Sequence, residues 1–116
     1  MHIDKDYTHI SNVIFLKLKL QGVLGAVVKD AKLVDVYYAP PILYLPDEIE
    51  ELGTSCFSGQ NDLREITISK NVYDLSNLVF TNCKNLEKII IPEHLIKYKN
   101  QLTYCNNAEV KIEYGK

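Results

Sequence analysis

The spacing of apolar residues in this chain repeats. From Leu45 it places Ile49, Leu52, Phe57, Gln60, Leu63, Ile66 and Ile68 at steps of 4, 3, 5, 3, 3, 3 and 2. From Ile68 the same steps land on Val72, Leu75, Phe80, Cys83, Leu86, Ile89 and Ile91. Every landing but Gln60 is apolar or Cys. Pro46 and Pro92 sit at matching places, with Ser69 between them. A third pass from Ile91 runs through Leu95, Tyr98, Leu102, Cys105 and Ala108 and is one residue short by then. The expected register regains that residue before Ile112 and Tyr114, each 23 residues after Ile89 and Ile91.

A unit of this length cannot bury its own apolar side, so a fixed period implies stacking in which each unit covers the next. The pattern predicts, per unit, a short strand (Leu-x-x-Ile-x-Ile), a turn begun by Pro or Ser-Lys-Asn, and an irregular or short helical arc. The arcs are GTSCFSG, LSNLVFTN and KNQLTYC. Phe57 is expected over Phe80, and Leu63 over Leu86. Asn-rich stretches such as TNCKN and CNN suit tight turns with local side-chain hydrogen bonds.

The run Ile-x-Ile-Pro-x-x-Val-x-x-Ile-x-x-x-x-Phe-x-x-Cys-x-x-Leu-x-x-Ile resembles the BspA-type leucine-rich repeat. Its best copy is Ile66 to Ile89, with Ser69 in place of Pro, and the resemblance covers Ile42 to Tyr114. Gln60 departs from the Cys position, as do Tyr98 and Ala108 from the last unit's pattern. Repeat spacing and the β-rich first 41 residues together predict an α/β solenoid, β-rich: a short leucine-rich-repeat stack with an N-terminal β cap. The resemblance implies protein–protein interaction as the role. Residues 42–116 are expected to form about three 23-residue units plus a final strand, and residues 1–41 a β-rich capping region.

The first 41 residues lack the repeat. Ile14, Leu16, Leu18 and Leu20 alternate with Phe15, Lys17 and Lys19, which predicts a half-buried strand. Gln21-Gly22 can turn, and Val23 to Val28 and Leu33 to Tyr38 are further β-rich runs separated by KDAK. A helix from Tyr7 to Val28 is the rival reading, opposed by Gly22, Gly25 and the β-branched residues. Ala39-Pro40-Pro41 marks the border with the repeats.

Composition removes several functions. A net charge of −2 implies no general affinity for nucleic acid or anionic membranes. Lys17, Lys19, Lys29 and Lys32 make the N-terminal region mildly basic, without interleaved aromatics. Val13 to Val28 contains two lysines and follows the non-basic MHIDKD, so neither a signal peptide nor a spanning helix is expected. The chain reads as cytoplasmic, or as surface-exposed or secreted if it is a piece of a larger protein. Its start at Met1 suggests a short complete protein.

Three cysteines, Cys56, Cys83 and Cys105, form neither a disulfide framework nor Cys-x-x-Cys. Cys83 and Cys105 are expected to be buried packing thiols. His2, His9 and His94 lack metal-ligand spacing, and His94 is expected to be solvated. The acidic run Asp47, Glu48, Glu50 and Glu51 is expected in a solvated turn or arc. Gly22 and Gly25 do not make a phosphate loop. No cofactor or metal is expected.

Within each strand the residues flanking the buried positions face outward. Tyr44, Thr67, Ile90 and Glu113 form one such column, each 23 apart, and Ile42, Glu65, Lys88 and Lys111 a second. They are the expected partner-binding face, flanked by Lys70, Tyr73 and Glu93. Three functions compete. The first is a non-enzymatic protein–protein interaction module. The second is a small phage- or mobile-element-type inhibitor, an anti-defence protein that binds and occludes a larger enzyme. The third is a hydrolase using Cys56 or Cys83 with a histidine. A homodimer through the uncovered C-terminal edge strand, Val110 to Tyr114, is also expected.

Overall fold

In the computed structural model, which describes residues 7–104 and 106–113, parallel pairing holds successive units together. β1 (Val27–Lys29) and β2 (Lys32–Asp35) form an antiparallel hairpin. Six strands follow: β3 (Ile42–Tyr44), β4 (Glu51–Leu52), β5 (Glu65–Thr67), β6 (Asp74–Leu75), β7 (Lys88–Pro92) and β8 (Glu109–Glu113). They fall into two four-stranded sheets, ordered β1-β2-β4-β6 and β3-β5-β7-β8. The two strands of each unit therefore go to different sheets, with the core between them.

From β3 to β7 the register is the one the sequence demands. Leu43 pairs with Ile66 and Ile66 with Ile89, and Leu52 pairs with Leu75. Each step is one repeat. All five side chains point inward and are buried. The Phe57 and Phe80 rings stack at 5.5 Å and 18°, and Leu63 and Leu86 are both buried. The core runs unbroken from Ile14 and Leu18 to Leu102 and Ala108.

The arcs repeat in backbone conformation too. Ser55 and Leu78 both have left-handed φ, at 57° and 63°, and Gly59 and Asn82 repeat the feature at 75° and 58°. Ser55, Phe57 and Gly59 N–H groups donate to the Asn77, Val79 and Thr81 carbonyls of the next arc. Buried backbone in the arcs is thus paired without regular secondary structure.

Side chains tie each unit to the one before it. Ser69 Oγ donates to Pro46 O at 3.0 Å, Asn71 Nδ2 to Asp47 O at 2.8 Å and Asn85 Nδ2 to Asn61 O at 2.7 Å. At the repeat's Cys position, Cys83 Sγ donates to Phe57 O at 3.1 Å. Asn106, 23 residues on, bonds Phe80 O in the same way. Gln60, 23 residues before Cys83, sends its Nε2 to Val36 O and Tyr37 O and accepts from Ala39 N. It departs from Cys because it must reach the irregular segment that precedes the repeats. Cys105, Tyr114 and His2 lie outside the described residues.

Two expectations are corrected. The strand expected over Ile14 to Leu20 is a helix, α1 (Tyr7–Leu20). Ile14 and Leu18 are fully buried and Ile10 packs beside them, whereas Leu16 and Leu20 are 55% and 78% exposed. A spacing of four residues governs burial, not two, so the alternation in the sequence is fortuitous. Gly22, counted against a helix, ends this one. It takes φ 102°, while Gly22 N donates to Lys19 O and Val23 N to Leu18 O, which is the Schellman arrangement. The N-terminal region is therefore a helix plus a hairpin, with KDAK in the hairpin turn.

The last unit is also shorter than expected. Ile89 pairs with Val110, not Ile112, and Ile91 with Ile112. At the two preceding strand starts one carbonyl accepts two N–H groups. Pro41 O takes Arg64 N and Glu65 N, and Arg64 O takes Glu87 N and Lys88 N. At β8, Glu87 O takes only Glu109 N, and Ala108 N turns to Asn106 Oδ1. The doubled residue is missing, so the register does not return to 23. The third arc is a 3-10 turn (Glu93–Tyr98) followed by α2 (Lys99–Leu102).

The exposed strand face as candidate functional site

Short strands with apolar residues at alternate positions put the other positions on the opposite face. In the β3-β5-β7-β8 sheet this yields two columns: Ile42–Glu65–Lys88–Glu109 and Tyr44–Thr67–Ile90–Lys111. Six of the seven expected site residues fall in them. The shortened last unit moves Lys111 into the second column and puts Glu109 at the end of the first. Glu113 lies opposite Pro92, beyond both columns.

The face is graded along the stack. At its first strand Ile42 and Tyr44 are 55% and 58% exposed, an apolar end. In the middle, Lys88 Nζ lies 3.4 Å from Glu65 Oε1. At the last strand Glu109, Lys111 and Glu113 alternate in charge with Val110 and Ile112. Tyr44, Thr67, Ile90, Lys111 and Glu113 share a shallow hollow of about 420 Å³. A second hollow of about 340 Å³ adjoins it, reaching Asp47, Ser69 and Lys70. Of the expected flanking residues, Lys70 therefore belongs to this surface. Tyr73 instead precedes β6 of the other sheet, and Glu93 opens the 3-10 turn.

Gln21 positions the face and had no signature in the sequence. Its Nε2 donates to Tyr44 O at 2.6 Å and its Oε1 accepts from Tyr44 N at 2.9 Å. A side chain thus pairs with the outer edge of β3 as a neighbouring strand would. Lys17 Nζ bonds Glu48 at 2.9 Å and holds α1 against the first turn. That hydrogen bond lowers the Glu48 pKa below the ordinary carboxylate value.

Cys56 and Cys83 have the wrong environment for nucleophiles. Burial pushes the Cys56 thiol up to about 12 and raises that of Cys83, whereas a reactive thiol needs its pKa lowered. His94 is exposed as expected, but its Nε2 lies 2.7 Å from Val72 O. Asp47 is exposed and Glu48 is ion-paired, so the acidic run serves a turn and a helix contact. No group of three His, Cys, Asp or Glu among the described residues could hold a metal ion. No helix among them is long and apolar enough to cross a membrane.

The period, the parallel register and the arcs find their counterpart in one family. The model of the BspA type leucine rich repeat region matches residues 41–113, more than half of the chain. The chain belongs to the BspA-type leucine-rich repeat family. Its BspA-type units are the strands and arcs described above, and its candidate face is the outward side of their strands. Comparison with curated proteins returned no match, and neither did comparison with solved structures.

Proposed function

We propose that this chain is a non-enzymatic protein–protein interaction module, a short solenoid of BspA-type repeats that presents its strand face to a protein partner. Residues 42–116 form the repeat domain. Residues 1–41 form its N-terminal cap, in which Ile14 and Leu18 of α1 close one end of the core. The observation that carries this reading is the register. It aligns Tyr44, Thr67, Ile90 and Lys111 beside Ile42, Glu65, Lys88 and Glu109 on one rigid sheet. Such a surface offers an apolar anchor and a graded charge without loop ordering, which keeps the entropic cost of binding low. Family membership supports the same reading, because repeats of this kind are in general binding modules.

The test is affinity capture from the native host, with the wild-type chain beside a Thr67→Arg/Ile90→Arg variant. Both residues are partly exposed and face outward, so the variant is expected to fold. A partner held by the wild type and lost by the variant is the expected result. A partner retained by the folded variant would move the site to α1 or the arcs. If the partner is a larger enzyme whose activity falls on binding, the module acts as an occluding inhibitor.

A further inference from the structure

Three of the four outer sheet edges are covered. On β3, Gln21 bonds both backbone groups of Tyr44. Helix α1 packs along β1, and Ser11 Oγ donates to Asp30 O in the turn that follows it, at 2.7 Å. Beside β6, Gln101 Nε2 donates to Leu75 O at 3.3 Å and to Ser76 O at 2.9 Å. The β8 edge is different. Glu109 N donates inward to Glu87 O, so by alternation the N–H and C=O groups of Val110 and Ile112 point outward. No described residue bonds them. The inward side chains of Val110 and Ile112 are also only partly buried, whereas Leu43, Ile66 and Ile89 at the level of Val110, and Ile91 opposite Ile112, are fully buried.

We infer that the β8 edge pairs with the β8 edge of a second copy of this chain, antiparallel about a two-fold axis. The sequence Glu109-Val110-Lys111-Ile112-Glu113 selects the register. Pairing centred on Val110 sets Lys111 opposite Glu109 of the second copy, and pairing centred on Ile112 sets it opposite Glu113. Either aligns opposite charges, and either leaves the outward groups of the central residue facing their own counterparts. Pairing centred on Lys111 opposes Lys to Lys and Glu to Glu, which is unfavourable. Head-to-tail growth is blocked, because Gln21 already occupies the β3 edge that a second copy's β8 would need. The symmetry is thus closed, as isologous interfaces are. Two strand faces join into one continuous sheet surface, which favours a two-fold or extended partner.

The experiment is the solution mass of the full chain by sedimentation equilibrium at about 100 μM, where micromolar contacts fill. Twice the 13.3 kDa chain mass is expected. Two variants give the edge a single sign of charge: Lys111→Glu, and Glu109→Lys/Glu113→Lys. Each is expected to weaken self-association roughly tenfold or more. An equimolar mixture of the two is expected to restore a two-chain species, because their edges are then complementary. Circular dichroism checks that each is folded, and either variant alone suffices for the comparison with wild type. A monomeric wild type, a dimer unaffected in a folded variant, or a mass growing past two chains would overturn the inference.

Discussion

Gln60 occupies a position that the repeat gives to cysteine, and its environment explains why. It is buried, and its amide satisfies one N–H and two carbonyls of residues 36–39. A thiol is too short and offers one weak donor. Gln60→Ala is expected to cost about 2–4 kcal/mol, from unpaired buried groups plus a cavity. Urea unfolding checks this, and a loss below about 0.5 kcal/mol would mean that the segment finds other partners. Leu78 presents the opposite case. At φ 63° a leucine is strained, and its side chain is only partly buried, at 41% exposure. Gly59 and Asn82, at the other left-handed position of the arcs, are residue types more tolerant of this region. Leu78→Asn is expected to stabilise the chain by about 0.5–1 kcal/mol in the same assay.

Among the elements, the repeat strands and the first helix differ in how far the sequence disclosed them. The strands were legible because two complete passes from Leu45 share every step, and only a stacked register uses such identity. The outward columns followed from the period-2 pleat of those strands. The last unit was misplaced by two residues because the doubled hydrogen bond at strand starts leaves no mark on apolar spacing. Helix α1 was misread because Ile14 and Leu18 satisfy both a four-residue and a two-residue period. Only packing against the hairpin and core decides between them. Gln21 was invisible because its role depends on where Tyr44 lies in space.

The contact that locks α1 in place can be tested by pH. The Lys17 bond depresses the Glu48 pKa, so its stabilisation is present above the unfolded carboxylate value of about 4.3 and is lost as pH falls through the lower folded value. Both side chains are partly solvent-exposed, which limits the effect at neutral pH to about 1 kcal/mol or less. Lys17→Met is expected to lower stability slightly at neutral pH and to match wild type once the pH has fallen through the lowered folded value and Glu48 is protonated. A difference that persisted in acid would point to lost packing of the lysine stem rather than lost charge.

At the scale of the whole molecule, one core joins α1, the hairpin and the repeats, and β2 pairs with β4 as another rung of the stack. If the strand face binds as proposed, its strands share one core and one sheet, so a partner should protect them together rather than one loop. Hydrogen exchange of the chain with and without its captured partner tests this most directly. Added protection is expected in segments 42–44, 65–67, 88–92 and 109–113, with little change in the arcs around residues 55–59 and 77–82. Protection centred on α1 or on those arcs, with the strands unchanged, would contradict the assignment of the strand face.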